Sequence, residues 1–542
     1  MTIKIHFTGF WGGFHDRTNP VHEGFFLELF KEVYGLDVSV GSFNDSVILV
    51  ENTQVAQSLR TAKTWHHTYL YSGESYLRSD AKDYTCVLYG QRNHNNIVNV
   101  PLYLPYVICS HSQSFIESNK NTPVTTVPSK TVLSVISNPG GSFRNDFLEG
   151  LEKRGISVTY AGHYKNNTGQ PFHPSYNSVE FQEYCKQFKF IVSMENSEED
   201  TYITEKIMHG LLGHSVPVYW GSKQVSNYFN PKRFIEVTDR DSAIDKIATM
   251  TDAEWLAMMN ERPFTEFGQS YTLQRIAKYI KNLIMPKTFP LLTQVYIICN
   301  PVFEPVRYER CKSMCNELGI LDRQTTFICP TYKHTVTDEI MKQHIHTDLV
   351  KNIRYKGTTA AELSLTLNWK AVMESIVREY RDGIFIVLES DAFALPSITS
   401  LNTTLEQLIG KDWSSINIGC GLTDGSDPLQ RLAYNSDRSP YGYVENIPLL
   451  LENTVEDLTN SSDSQRYIRK FMTRCTDSHL WSYKGCVAFN EYMKHEVNYG
   501  VPFDYYLTYK TEKDMAFKYY WSSMPHFSQR SAILLEKSTI QS

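Results

Sequence analysis

Cysteine is sparse and unorganised in this 542-residue chain: ten thiols are scattered along it, Cys311 and Cys315 fall one helical turn apart, and no CxxC pair occurs. That usage excludes a disulfide scaffold and predicts reduced, mostly buried thiols. Long apolar runs are missing too. No stretch approaches the ~18 consecutive apolar residues that a membrane span needs, and no N-terminal signal pattern is present. The expectation is a soluble, cytoplasmic protein with no transmembrane segment. Strong charge of either sign is absent as well. A formal net charge of −6 leaves no electrostatic footprint for nucleic acid as a partner.

Several motif classes are also missing. There is no Walker loop, no Gly-x-Gly-x-x-Gly after a strand and no nucleophile elbow. His344 and His346 form an HxH without further ligands at metal-like spacing, which reads as polar surface. Internal repeats and low-complexity tracts do not occur, although residues 437–464 are polar enough for a long loop. What the chain does have is aromatic side chains, 34 Tyr and 28 Phe, in an otherwise ordinary globular composition. Tyr-rich surfaces suit sugars, whose C–H faces pack on rings, and aromatic cores are equally compatible with the count. The length prior of ~100–200 residues per domain predicts three to four folding units.

The most informative stretch is 188–237. Phe190, Ile191, Val192 and Met194 form a short apolar run of strand type. A polar loop follows, and then Ile203, Ile207 and Leu211 recur at helical spacing, with Thr204 placed to cap. Gly213 ends that helix, and Val216 to Trp220 reads as a second strand. Such a unit offers free N–H groups and a positive dipole end at Thr204-Glu205-Lys206, a seat for phosphate. Lys206 adds charge, whereas Glu205 would repel phosphate and suits sugar or ribose hydroxyls instead. Anion plus polyol suggests a nucleotide sugar; read alone, Glu205 and Lys206 also fit an ordinary first-turn charge pair.

Glu195-Asn196-Ser197, then Tyr202-Ile203-Thr204-Glu205-Lys206, then Pro217 to Ser222 and Phe229 to Phe234, resembles the signature of the α1,3-fucosyltransferases, glycosyltransferase family 10, above all its bacterial and viral members. Met194 stands where that family usually has Phe. Upstream, Ser137-Asn138 and Phe143-Arg144-Asn145 resemble the family's donor-side arginine site, where a planar guanidinium would meet a diphosphate. Leu70 to Ser75 is similar to its short Gly-Glu segment, which implies Glu74 as the base of an inverting transfer. His6, Trp11 and Gly12 are candidates for the acceptor side.

The resemblance implies a GT-B-like pair of Rossmann-like lobes: residues 1–127 on the acceptor side and 128–288 as the GDP-sugar lobe. It further implies fucose transfer from GDP-fucose to a glycan hydroxyl with inversion and no cofactor. Arg144 and Lys206 would neutralise the diphosphate, while Asn196, Tyr202 and Glu205 would bind the donor.

A helix over 273–284, two prolines and a fresh strand at Gln294 mark a boundary near 285–290. Beyond it the pattern is again α/β: a strand at 295–300, helices opening at Arg307 and at 357–377, and an apolar strand, 383–388, delivering Glu389, Ser390 and Asp391. Carboxylates at a strand end suit a hard cation, Mn²⁺ or Mg²⁺, bridging a diphosphate. The order of parts in 289–542 resembles glycosyltransferase family 25, with Ser390 in place of that family's middle acid. His479 to Gly485, Val501 to Asp504 and Pro525 to Gln529 are similar to its later segments. This implies a GT-A-like α/β domain using a second nucleotide sugar, a UDP-sugar among the candidates, with Glu389 and Asp391 at the metal and Asp504 on the acceptor side. The alternatives are a glycan-binding protein built on inactive transferase folds and a transferase using another GDP-sugar.

Overall fold

The computed structural model describes residues 2–111, 113–172, 175–345, 359–419, 467–469 and 477–495, and, within 503–529, residues 503, 506, 507, 510, 514, 516–522 and 526–529. Asp504, Pro525, His346 and the polar stretch 437–464 lie outside the described residues. The chain divides into two compact units, Met1–Ile284 and Met285–Ser542.

The first unit is built on two all-parallel sheets. One contains β1 (Ile3–Thr8), β2 (Val38–Val40), β3 (Ile48–Asn52), β4 (His67–Tyr71), β5 (Cys86–Tyr89) and β6 (Ile97–Asn99), in the order β2-β1-β3-β4-β5-β6. The other contains β7 (Lys130–Ser134), β8 (Val158–Tyr160), β9 (Phe188–Met194), β10 (Val216–Trp220) and β11 (Ile235–Glu236), in the order β11-β10-β9-β7-β8. The α/β expectation is met. The central strands β3, β4, β5, β9 and β10 are almost wholly buried, as parallel sheets covered by helices on both faces require. In β9, Phe190, Val192 and Met194 join one core with Val132, Val218 and Trp255, while Ile191 points into a second with Leu133 and Phe181.

Strand order reverses between β1 and β3 in the first sheet and between β7 and β9 in the second. Ligands of open parallel sheets bind beyond the strand C-termini at such switch points. The two sheets meet close to these ends. Thr201 N donates to Gly90 O at 3.2 Å, just after β5. A Cβ on Gly90 would sit 3.1 Å from Thr201 O and 3.2 Å from Tyr202 Cα, so the approach requires glycine. The helix Leu273–Ile284 buries Leu273, Ile276, Ala277 and Ile280 and packs against the helix Glu23–Tyr34 of the first sheet's lobe.

The second unit centres on a mixed seven-stranded sheet. Its strands are β12 (Gln294–Ile298), β13 (Thr325–Phe327), β14 (Ile384–Glu389), β16 (Ser415–Asn417), β17 (Tyr467–Arg469), β18 (Ser478–Ser482) and β19 (Tyr519–Ser522), ordered β13-β12-β14-β18-β16-β19-β17. β15 (Ala392–Ala394) and β20 (Phe527–Gln529) form a separate pair. β13, β12 and β14 are parallel, and β18 runs antiparallel to β14. The long helix is Ala360–Glu379, started by a capping box between Thr359 and Glu362.

Candidate active site

In the first unit the residues singled out from sequence gather at the β7/β9 switch point. After β7 the chain turns through Gly141, whose φ of 99° favours glycine, into the helix Ser142–Lys153. Arg144 on its first turn is 3% exposed. Its Nη1 donates to Asn196 Oδ1 at 3.0 Å and its Nη2 to Asn138 O at 2.9 Å and to Gly140 O. Nε has no partner among the described residues. Burial holds the guanidinium below its ordinary range, partly offset by Glu195. Arg144 therefore fastens the turn and orients Asn196, itself exposed, at the end of β9.

Glu195, which sequence reasoning quoted without a role, is the centre of the site. It is fully enclosed, at 0% exposure. Its Oε1 accepts from Thr204 N at 2.7 Å, and its Oε2 accepts from Thr204 Oγ1 at 2.8 Å and Lys206 Nζ at 3.1 Å. Burial raises its pKa, and the Lys206 ammonium pulls it back. A buried carboxylate persists only with donors of this kind around it.

The helix that follows differs from expectation. It spans Lys206–Leu212, with Glu205 rather than Thr204 at its N-cap and no side-chain cap there. Thr204 N is already taken by Glu195, and Thr204 Oγ1 accepts from Lys206 Nζ at 2.9 Å. The preceding residues leave the helical path because they pack against the first sheet's lobe: Tyr103 N donates to Ile203 O at 2.9 Å. Of the backbone N–H groups expected to seat a phosphate, that of Thr204 is taken by the Glu195 carboxylate and that of Lys206 points to Thr204 Oγ1 at 3.4 Å.

Lys206 and Glu205 are half-buried, with Nζ 3.7 Å from Glu205 Oε1, an ion pair too long for a hydrogen bond. Burial works against the Lys206 ammonium, yet Glu195 and Glu205 outweigh it and its pKa is raised. For Glu205 burial works upward, and Lys206 and then His209 bring its pKa below the usual value. Glu205 is thereby kept as an acceptor-only group beside a cation.

Glu74 arrives from the other sheet, at the end of β4. Its Oε1 accepts from Gln54 Nε2 at 2.8 Å, and its N–H donates to Ser72 Oγ at 3.3 Å. Tyr71, the last residue of β4, and Tyr202 are both buried nearby. Burial raises both phenols, and each also senses the charges of Glu205 and Glu74. Trp11, 40% exposed, packs its ring 5.7 Å from Phe10, and Phe10 stacks on Tyr71 at 6.1 Å. His6 does not join this group. It lies on the opposite face of β1 from Phe7, stacked on Trp65 at 6.4 Å with Nδ1 3.3 Å from Gly41 O.

Three further residues escaped sequence reading. Arg92 and Asp200 pair across the two lobes, and Gln54 steadies Glu74. None of them sits in a motif, so only three-dimensional proximity reveals them.

In the second unit Glu389 ends β14, and with Ser390, Asp391, Glu304, Tyr332 and Asn368 it borders a cavity of about 60 Å³. The cavity lies where the order of β12, β13 and β14 reverses. Ser390 Oγ accepts from Arg307 Nη1 at 3.1 Å and donates to Glu304 Oε1 at 3.2 Å. Burial raises the Glu304 pKa and Arg307 opposes it. Among the described residues no group of three or more His, Cys, Asp or Glu side chains is arranged to hold a metal ion. Glu389 and Asp391 border the cavity close to the Arg307 guanidinium that bonds Ser390. No helix among the described residues is long and apolar enough to cross a membrane.

Two cations, Arg144 and Lys206, and two carboxylates, Glu195 and Glu205, thus stand at a parallel-sheet switch point, and Glu74 follows a strand of the second parallel sheet. Residues 126–259, within the first unit, match the model of glycosyltransferase family 10 (fucosyltransferase), C-terminal part.

Over 183 residues the chain is 32% identical to alpha-(1,3)-fucosyltransferase FucT of Helicobacter pylori, covering 32% of this chain and 37% of that protein. Over 124 residues it is 33% identical to a putative fucosyltransferase-like protein of Arabidopsis thaliana, covering 22% and 21%. The chain thus spans little more than a third of the length of the first of these relatives and about a fifth of the second. A crystal structure of an alpha1,3-fucosyltransferase with GDP-fucose aligns with a TM-score of 0.41 and 20% identity, over 53% of this chain and 91% of that one.

Proposed function

We propose that the first unit transfers fucose from GDP-fucose to a hydroxyl of a glycan acceptor, with inversion and without a metal. What supports this reading is the run of contacts Arg144–Asn196 and Glu195–Lys206–Glu205 after β9, with Glu74 following β4 of the other sheet. Glu74 removes the acceptor hydroxyl proton while that oxygen bonds to the sugar C1 and the bond from C1 to the diphosphate oxygen breaks. Charge building on the departing diphosphate meets Lys206 and the remaining donors of Arg144. Asn196 and Glu205 accept hydrogen bonds from ribose or fucose hydroxyls, and Trp11 offers its exposed ring to the acceptor.

The second unit is read as a second nucleotide-sugar transferase acting in the same glycan pathway, making the whole chain bifunctional. Glu389 and Asp391 are the residues that would hold a divalent cation there, which would supply positive charge to a diphosphate leaving group.

The test is to incubate the intact protein with a panel of nucleotide sugars and glycan acceptors. GDP and UDP release is followed with and without EDTA, and products are identified by mass spectrometry. GDP release from GDP-fucose that survives chelation supports the first assignment, and release from a different GDP-sugar alone replaces fucose as the donor. UDP release abolished by EDTA supports the second. No release of any nucleotide overturns both in favour of a glycan-binding protein.

A further inference from the structure

A lysine carries its charge on a flexible four-carbon stem, so its ammonium acts at a defined point only when something fixes it. Lys206 Nζ is fixed by Glu195 Oε2 at 3.1 Å and Thr204 Oγ1 at 2.9 Å. Of its three N–H donors these take two, leaving one for an incoming oxygen.

Glu195 is itself immobile. It is enclosed between residues 204–206, which supply its donors, and Gly221 at the end of β10. A Cβ on Gly221 would lie 2.6 Å from Glu195 Cγ and 2.9 Å from the Tyr219 hydroxyl, so the backbone after β10 closes directly onto the stem of the carboxylate. An enclosed carboxylate of this kind is costly, and it is not needed to start the helix, whose N-cap is Glu205.

We propose that Glu195 is a positioning residue of the donor pocket. It holds Lys206 Nζ where the diphosphate charge develops, and it balances Arg144 and Lys206 so that the product nucleotide can leave. The inference rests on the reading of this pocket as a GDP-sugar site.

The role is tested in the full-length protein with Glu195→Gln, Lys206→Met and the double variant, using melting temperature as a control for folding. Glu195→Gln is expected to lower kcat about 10- to 100-fold, and to add less than about 3-fold once Lys206 is already Met, because residues acting as a unit are non-additive. Effects that multiply in the double variant overturn the proposal.

A second readout needs no turnover: acylation of Lys206 by an amine-reactive reagent, mapped by mass spectrometry. Loss of the paired carboxylate frees the ammonium to deprotonate, so labelling in Glu195→Gln rises at least about 10-fold over the parent. An unchanged labelling rate overturns the proposal.

If Glu195→Gln does not fold, Glu195→Asp keeps the charge but falls one methylene short of the ammonium. Reduced kcat with faster labelling of Lys206 supports the proposal, and parental values for both overturn it. Should the parent transfer nothing from GDP-fucose while labelling still depends on Glu195, the fucosyl-transfer reading fails and the positioning role stands.

Discussion

Arg92 Nε lies 3.0 Å from Asp200 Oδ1, joining the loop after β5 of one sheet to the loop that leads from β9 towards the donor-side helix of the other. Both side chains are largely shielded, at 17% and 12% exposure, and the Arg92 backbone N–H donates to Asp200 Oδ2 at 2.8 Å. The pair anchors residues 200–206 to the first sheet's lobe, and with them Tyr202, Glu205 and Lys206. Asp200→Asn removes the charge and leaves a shielded guanidinium poorly matched, which is expected to cost about 1–3 kcal/mol. Chemical denaturation gives that number. Because the loop carries donor residues, the Kd for GDP should weaken as well, and an unchanged Kd would disconnect the pair from the site.

Glu74 and Gln54 separate chemistry from binding. Glu74→Gln is expected to lower kcat by about 10²–10⁴-fold, the usual contribution of a general base, and to leave GDP affinity close to the parent. Gln54→Leu removes only the 2.8 Å hydrogen bond to Glu74 Oε1. It should cost about 10-fold in kcat, equivalent to one ordinary hydrogen bond. Steady-state kinetics with GDP calorimetry distinguish these patterns. Loss of GDP binding in Glu74→Gln would place that residue on the donor side instead.

Much of the donor side was legible because its side chains are local in sequence. Asn196, Tyr202, Glu205 and Lys206 follow one buried strand within a dozen residues, and periodicity alone marks β9, the helix after it and β10. Arg144 was singled out by the resemblance of its segment, and the structure places it on the first turn of its helix, bonded to Asn196.

The helix boundary was misread because Thr204 is the stronger capping type by propensity, whereas contacts with Tyr103 and Glu195 govern the local path. Glu195 itself gave no signal of burial: a glutamate at a strand end is normally solvated, and only its three donors reverse that. His6 was misassigned because one residue of strand register separates the Trp11 side of β1 from the Trp65 side. Asn99, which joins Thr201 Oγ1 at 2.7 Å and the Tyr228 hydroxyl at 2.7 Å, depends on pairings more than a hundred residues apart.

Gly221 tests how tightly the pocket is clamped. Its φ of 153° and the 2.6 Å approach to Glu195 Cγ leave no space for a methyl group. Glu195 and Tyr219 are both fully buried and cannot swing aside. Gly221→Ala should therefore cost about 1–3 kcal/mol as overpacking in a dense region, measured by denaturation. It should also weaken GDP binding by displacing Glu195 and, through it, Lys206. Stability lost without any change in GDP affinity would show that the displacement is absorbed elsewhere.

His209 gives the first unit an acid limit. It lies on the helix Lys206–Leu212, 8% exposed, among the rings of Tyr106, Tyr176 and Phe181, and its Nε2 has no partner among the described residues. Burial takes its pKa down to about 4, with Glu205 opposing and Lys206 and His111 adding to the fall. A depressed pKa means that the neutral ring is stabilised on folding. That contribution is complete above the unfolded histidine value near 6.5 and is lost as the pH falls towards 4. The loss attributable to this one ring is about 3 kcal/mol, from ~1.4 kcal/mol per pKa unit. Replacing the ring by the uncharged His209→Leu should flatten the stability profile between pH 6.5 and 4 by that amount relative to the parent. The difference between the two curves cancels the carboxylates common to both. Denaturation series at matched pH values measure it, and parallel curves would mean that His209 titrates normally and that its aromatic surround admits water.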